Sequence, residues 1–441
     1  MCAKTFKGGI HPHDYKHFTN HKAIEKFPAP EKLYIPLIQH IGRPAVPIVK
    51  VGNEVKKGQK IADASGFVSI PMHSPVSGKV IKIGPYPHPT GTIQQVIEIE
   101  NDGKNEWISE LQDDEQYFLL SSEKMKERIQ KAGICGMGGA GFPTHVKLSP
   151  PENRPIDTVI LNGVECEPYL TSDHRLMLEH PEEIIAGLRI IMKILDAKRG
   201  YIGIELNKKN AITIFKQMLR DQKNINVVPC MLRYPQGAEK QLIYATTKRK
   251  VPAGGLPMDV GIVVQNVGTA FAIYEALRYH KPLIERITTI SGEIVNEPKN
   301  IKVPIGTPLS QLLEFCGGTS EEICKIISGG PMMGFALPDL EAPATKTTSG
   351  FVFMGDKEVV DTTEAPCIRC GRCVDACPMN LLPTFIADKV KNGQYEEAMK
   401  LGVLDCIECG SCAYVCPSHI QLVQWIKIGK LEVNKLKSQD K

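Results

Sequence analysis

The spacing of apolar and polar positions changes period several times along the chain, and the changes mark its parts. In "PIVKVGNEVKKGQKIADA" valine and isoleucine alternate with polar residues, with turns at Gly52 and Gly58. "HSPVSGKVIKIGPY" continues the alternation past a turn at Ser77-Gly78. A period of two is that of half-buried strands, so residues 31–105 are expected as short strands. Residues 115–133 interleave charged and apolar positions as a helix does. From there to about residue 280, β-rich and helical runs alternate. "DTVILNGV", "RGYIGIELN" and "MDVGIVVQNVG" read as strands. "HPEEIIAGLRIIMKILDA", with Pro181 in its first turn and acids after it, and "KKNAITIFKQMLRDQ" read as helices. Such alternation predicts an α/β layer with a mostly parallel sheet. Residues 283–345 predict two short strands, a turn and one short helix, and a Pro/Thr/Gly-containing connector follows. "MNLLPTFIADKVKNGQYEEAMKLGVLD" predicts two short helices broken at Asn392-Gly393. Residues 1–30 read as an extended arm. No regular helical face collects its His11, His13, His17 and His21, so an arm lying across another surface is expected rather than a metal site.

Composition narrows the classes. A chain of 441 residues is too long for one ordinary domain at about 100–200 residues each. A net charge of +4 gives no single-sign field, and the aromatic residues are scattered, so no nucleic-acid partner is implied. No run of 18 apolar residues occurs. The start "MCAKTFKGGIHPHDYKHF" lacks the apolar stretch of a secretory signal, and a cytoplasmic location is expected. There thiols stay reduced, and the fourteen cysteines read as ligands or small buried residues. Cys2, Cys135, Cys166, Cys230, Cys316 and Cys324 have no metal spacing and are expected as plain thiols.

The other eight form two ladders, "CIRCGRCVDACP" and "CIECGSCAYVCP". C-x2-C-x2-C-x3-C-P is the run that holds [4Fe–4S] cubes; soft iron takes soft thiolates, one at each corner. Three close cysteines wrap three corners, and the fourth, pointed elsewhere, ligates the other cube. This assigns Cys367, Cys370, Cys373 and Cys416 to one cluster, and Cys406, Cys409, Cys412 and Cys377 to the other. Zinc also accepts four thiolates. Two ladders in tandem, each closed by Cys-Pro, favour cubes. The helical connector between them resembles the α-helical ferredoxin domain of respiratory oxidoreductases.

"GMGGAGFPTHVK" contains a G-x-G-x-x-G at Gly136, Gly138 and Gly141. The dinucleotide fingerprint needs a strand before it, whereas "KMKERIQKAGIC" reads as helix, so that reading fails in its context. The segment instead resembles the flavin and NADH loop of the flavoprotein subunit of respiratory complex I. "LNGVECEPYLTSDHRLM" resembles that family's Asn-x-x-Glu-x-Glu-Pro segment, and "QNVGTAFAI" its Asn-x-x-Thr flavin segment. Residues 31–105 resemble the biotinyl/lipoyl β-hammerhead, with Phe67 where a carrier lysine would stand, so a structural or docking module is implied. Residues 283–345 resemble the soluble-ligand-binding (SLBB) β-grasp. With "FKGGIHP" and "YPQGAEKQL", the order of parts resembles the RnfC family, found in the Rnf complexes, ferredoxin:NAD oxidoreductases that drive ion pumping.

That resemblance implies a multidomain α/β plus β chain. Its expected parts are an arm (1–30), a β-hammerhead (31–112), a Rossmann-like FMN/NADH-binding α/β domain (113–282), an SLBB β-grasp (283–345), a linker (346–360), a ferredoxin-like domain with two [4Fe–4S] clusters (361–425) and a basic tail (426–441). It implies FMN and NAD(H) with an NADH-dehydrogenase-type site. Gly136, Gly138, Gly139 and Gly141 would line FMN and the nucleotide, Phe142 would stack on adenine or nicotinamide, and Lys147 would neutralise the FMN phosphate. Asn162 and Asn266, with Thr269 of the same segment, would bond the flavin or its ribityl chain. Glu165 and Glu167 would orient NAD, and Glu239 lies near the ring. Val164 replaces an acid, so one flavin contact is missing or made by water. No side chain is expected as a catalytic acid or base. The implied setting is peripheral, on the cytoplasmic face, with integral-membrane and iron–sulfur partner subunits and ferredoxin acting through them. The lysine-rich tail, with Leu422, Trp425 and Ile426 near helical spacing, either docks to a membrane subunit or lipid or packs on the cluster domain. Two other readings stay open: a corrinoid-reducing flavoprotein with these modules in another order, and an electron wire without flavin.

Overall fold

The computed structural model describes residues 3–359 and 363–439. Cys2, positions 360–362 of the connector and positions 440–441 of the tail lie outside the described residues.

The hammerhead consists of two small antiparallel sheets. One runs in the order Lys32–Pro36, Ile93–Asn101, Gly78–Pro87, Glu54–Val55, and the other Val46–Pro47, Lys60–Asp63, Met72–His73. Leu33, Ile35, Ile61, Met72, Ile97 and Ile99 are buried between them, the inward half of the alternating pattern. Phe67 is 69% exposed, and its carbonyl accepts from His145 Nε2 at 3.2 Å.

The α/β domain holds a four-stranded parallel sheet in the order Ile225–Cys230, Arg199–Glu205, Thr158–Gly163, Ile262–Asn266. The chain starts at an inner strand, steps outward twice, then crosses to the other side. The order therefore reverses between Thr158–Gly163 and Ile262–Asn266, and there Asn162 and Asn266 are register partners. The helices Pro181–Ile194 and Val267–Arg278 pack over the sheet, burying Ile184, Leu188, Ile191 and Ile273. The three expected strands and both helices are present. Ile225–Cys230 was not foreseen; it contains Pro229, which weakens a strand signal and is tolerated here because the strand lies at the sheet edge.

The β-grasp sheet has six strands: Ile24–Lys26, Lys299–Pro304, Glu285–Ser291, Gly350–Met354, Lys325–Ser328, Phe335–Leu337. Two lie outside the expected span of 283–345. Ile24–Lys26 is donated by the arm, parallel to Lys299–Pro304. Gly350–Met354 falls within the expected linker yet is an inner strand, with Phe351, Val352 and Phe353 buried. Five residues long and preceded by the Pro/Thr/Gly-containing stretch, it carries no strand signal of its own. The arm docks by stacking: His13 on Tyr15 at 4.4 Å, and Tyr15 on Tyr169 at 4.5 Å.

In the cluster domain, Pro383–Lys391 and Tyr395–Lys400 are separate helices, and Gly393 between them has φ +67°. The tail does not project: Leu422–Gln439 is one helix whose Ile426 and Val433 bury against Ile386 and Val390. Among the described residues no helix is long and apolar enough to cross a membrane.

Candidate functional site

The loop from Gly136 to Phe142 arches over the strand ends that carry the two asparagines. Gly136 N donates to Phe142 O at 2.9 Å, closing its base. The buried Thr269 hydroxyl accepts from Met137 N at 3.0 Å. That bond holds Gly138 against Asn266, where a Cβ would lie 2.7 Å from Nδ2, so any side chain there would push Asn266 aside. Gly138, Gly139 and Ala140 are exposed, and a Cβ on Gly139 would meet nothing within 4 Å. The crest is therefore bare backbone, free to approach a phosphate or a flat ring. Phe142 is 37% exposed beside it. The hammerhead backs the loop: a Cβ on Gly141 would lie 3.1 Å from His40 Cα.

Asn162 donates to Gly237 O at 2.8 Å and accepts from Val164 N at 3.2 Å. Asn266 caps its helix, accepting from Gly268 N at 2.7 Å, and donates to Asp173 at 2.6 Å. Lys147, on the short helix after the loop, pairs with Glu239 at 2.7 Å. Glu239 opens the helix Glu239–Thr247 two residues after Gly237. Loop, asparagines, Thr269, Lys147 and Glu239 thus gather at the carboxyl end of the sheet, at its reversal point, where open α/β sheets bind ligands.

Glu165 and Glu167 are tied elsewhere. Glu165, at φ +47°, accepts from Asp173 N at 2.7 Å and His174 N at 3.3 Å, capping the helix Ser172–Glu179. Glu167 accepts from Tyr234 Oη at 3.3 Å and from Met332 N at 3.0 Å, facing the β-grasp. Burial pushes both carboxyls up to about 7, against the opposing pull of Lys16. Lys16, buried in the arm, donates to Glu167 O at 2.9 Å and Leu170 O at 2.5 Å. Buried Lys208 donates to Val164 O at 2.7 Å. Val164 itself is fully buried with Ile160, Val228 and Leu242, so its side chain belongs to the core rather than to the site. Sequence reasoning missed Lys16, Lys208, Asp173 and Tyr234; isolated residues so far apart in sequence carry no spacing signal.

The two ladders fold as copies. Arg369 and Glu408 have φ +56° and +58°, Gly371 and Gly410 +77° and +78°, and Asn380 and His419 +56° and +51°. In each, an N–H donates back to the first sulfur: Arg369 N to Cys367 Sγ at 3.4 Å, and Glu408 N to Cys406 Sγ at 3.3 Å. Cys377 acts by its charge on the sulfurs of the other ladder. Burial pushes Cys406 up to about 11 and raises Cys409 and Cys412, and negative charge on Cys377 adds to the rise in all three. Cys373 and Cys416, in turn, share an apolar group with Leu422 and Trp425, and Cys412 belongs to it as well. The influence of Cys377 on the second ladder is what crossed ligation would bring. Among the described residues no three His, Cys, Asp or Glu side chains converge closely enough to hold a metal ion. Of the other thiols, Cys135, Cys230 and Cys316 are buried, Cys166 is partly so and Cys324 is exposed, with no disulfide among them.

The C-subunit of the proton-translocating ferredoxin:NAD(+) oxidoreductase complex of Clostridium ljungdahlii is 51% identical, over 97% of this chain and 94% of that one. The chain belongs to the RnfC family. The sodium-translocating counterpart in Acetobacterium woodii is 42% identical over 97% of each chain. The corresponding member of the ion-translocating oxidoreductase complex of Rhodobacter capsulatus is 42% identical over 99% of this chain and 84% of its own. Residues 4–104 match the RnfC barrel sandwich hybrid domain and 129–275 the Nuo51 FMN-binding domain. Residues 287–336 match the SLBB domain and 366–420 a 4Fe-4S dicluster domain.

As a member of this family the chain carries an FMN-binding domain and a dicluster domain, and its own atoms fit those groups. The exposed backbone at Gly138 and Gly139, with no side chain to obstruct it, leaves room for a phosphate or a flat ring beside the asparagines and Lys147. The two cysteine cages suit cubes for the reasons given above.

Proposed function

We propose that the chain is the peripheral electron-transfer subunit of a membrane-bound, ion-pumping ferredoxin:NAD oxidoreductase, sited on the cytoplasmic face. It relays electrons between two [4Fe–4S] clusters and FMN, and exchanges hydride with NAD(H). One observation carries the reading: the bare glycine crest, the paired asparagines and the helix Glu239–Thr247 meet at the sheet's reversal point, and that same helix touches the cysteine domain through Gln241, which donates to Pro378 O at 3.1 Å. When bound, FMN supplies the exchange between electrons taken in pairs and electrons taken singly.

The chain's residues position and shield. Backbone N–H groups of the exposed Gly138 and Gly139 would meet phosphate and ring, with Gly136 and Gly141 shaping the loop around them, while Phe142 would offer an apolar face to adenine or nicotinamide. Lys147 brings positive charge to the phosphate, shared with Glu239. Asn162 and Asn266 set hydrogen bonds toward the flavin, and Thr269 fixes the loop above them. Glu165 and Glu167 act on NAD from the wall behind, Glu165 through the helix end that it caps. No side chain is assigned as acid or base. The partners are the integral-membrane and iron–sulfur subunits of the complex, with ferredoxin reached through them.

The test is anaerobic isolation of the complex from cells. The reading expects this chain to co-purify with membrane subunits, yellow-brown, with releasable FMN, iron for two cubes and NADH-dependent dye reduction. Iron without flavin would leave an electron wire. Flavin and iron without membrane subunits would favour the corrinoid-reducing flavoprotein. A colourless protein with zinc in both cages would refute the proposal.

A further inference from the structure

We infer that the cage of Cys377, Cys406, Cys409 and Cys412 is the flavin-side cluster, and that the cage of Cys367, Cys370, Cys373 and Cys416 is the solvent-side cluster through which electrons enter or leave the chain. This rests on the function proposed above and adds an order to it.

The ladders are copies, but their settings differ. The first cage named meets the wall of the α/β domain through Cys377 and Cys409, while Cys406 and Cys412 pack within the cluster domain. Ala376 and Cys409 share one apolar group with Ile10 and Tyr234, against which Cys166 and Met332 pack. Gly9 N donates to Ala376 O at 2.9 Å, and a Cβ on Gly8 would lie 2.8 Å from Cys377 O. Gln241 reaches Pro378 O, the residue after Cys377. From this contact the path to the glycine loop is unbroken. Gly237, just before the same helix, donates to Cys166 Sγ at 3.4 Å and accepts from Asn162 at 2.8 Å. Glu239 pairs with Lys147. Electrons tunnel more readily through bonded, packed matter than across open gaps, and this side supplies the packed matter.

The other cage opens outward. Cys367 and Cys370 are exposed, as is every residue from 363 to 372. Ile368 is 68% exposed. Its more buried members, Cys373 and Cys416, pack within the cluster domain itself, on Ala387, Ile420 and Leu422, beside Cys412 of the inner cage. Transfer between the cubes moves one electron at a time and makes or breaks no bond, so the two electrons of one hydride need two passages.

Crossed ligation supplies clean variants, since Cys377→Ser strikes the inner cage and Cys416→Ser the outer. In each purified holoprotein, electron exchange between added pyridine nucleotide and the remaining cube is followed by freeze-quench electron paramagnetic resonance. It is run in both directions, so that one is downhill: NADH onto the oxidised protein, NAD⁺ onto the dithionite-reduced protein. Cys416→Ser should keep rapid exchange. Cys377→Ser should lose it, although dithionite still reduces its cube. The reverse pattern overturns the assignment. If NADH fails to bleach the flavin of the unmodified protein, the proposed function falls instead. Should a substitution strip both cubes, the unmodified protein decides. Under partial anaerobic iron chelation, iodoacetamide should label Cys367, Cys370, Cys373 and Cys416 first, as read by peptide mass spectrometry. First labelling of Cys377, Cys406, Cys409 and Cys412 overturns the inference.

Discussion

Thr269 holds the glycine loop through one hydroxyl, and that makes it a sharp probe. Thr269→Val keeps the shape but leaves the buried Met137 N–H without its acceptor, a loss of about 1–3 kcal/mol. The loop then lifts from Asn266. FMN should be lost on gel filtration while iron stays, and Thr269→Ser should restore it; equal flavin content in all three would refute the role. Gly138→Ala tests the same contact from the other side. Its methyl would lie 2.7 Å from Asn266 Nδ2 and displace the side chain that caps Val267–Arg278, so flavin content should fall together with a lower melting temperature. At this scale sequence was informative where a motif carried a resemblance: the loop, Asn162, Asn266 and Lys147 with Glu239, far apart in the chain, do meet. The directions of Glu165 and Glu167 were not legible, because a positive φ at Glu165 and a lysine from the distant arm set them.

The paired ladders allow one substitution to be compared with itself. Gly371 and Gly410 occupy equivalent left-handed positions, at φ +77° and +78°, so alanine meets the same backbone strain at each, about 1–2 kcal/mol. Their surroundings differ. A Cβ on Gly371 meets nothing within 4 Å, whereas on Gly410 it would lie 2.9 Å from Met332 O. Gly410→Ala should therefore melt lower than Gly371→Ala and lose iron faster under chelator. Equal melting would show that the β-grasp does not press on the second ladder. Pro181–Ile194, with its helical period, and Thr158–Gly163, an apolar run bounded by turns, were legible beforehand. Ile225–Cys230 and Gly350–Met354 were not, one interrupted by proline at a sheet edge and the other a short apolar run behind a Pro/Thr/Gly-containing stretch. The tail helix was half legible: its spacing was visible, but its partner, the face of Pro383–Lys391, becomes visible only once the chain has folded back.

How the domains lean on one another is the least legible level, since no local pattern encodes it, and the structure shows it in buried charges at the seams. Lys346 of the β-grasp side donates to Pro71 O of the hammerhead at 3.1 Å and to Gly133 O of the α/β domain at 2.7 Å. Buried His73 lies at the same three-way seam. Its own burial first, and then the charge of Lys346, push it from the ordinary 6.5 down to about 3. The sign follows from proton counting. Below pH 6.5 the unfolded chain binds a proton at this histidine, while the folded chain refuses it until about pH 3. Stability from His73 is thus fully present above 6.5 and drains away as pH falls through that window, by about 1.4 kcal/mol per pH unit. Burial also raises Glu165, Glu167 and Glu205 to about 7, and these act the other way, lowering stability as pH climbs from 4.5 toward 7. Comparing His73→Leu with the parent chain cancels that shared part. Because His73 Nδ1 has no partner, an apolar side chain of similar size should leave stability at neutral pH little changed. In urea titrations followed by circular dichroism, the variant should gain about 2 kcal/mol on the parent by pH 5, with a gap that widens on further acidification. Parallel curves for the two chains across that range would mean that His73 takes up its proton in the folded state and that the seam is open to water.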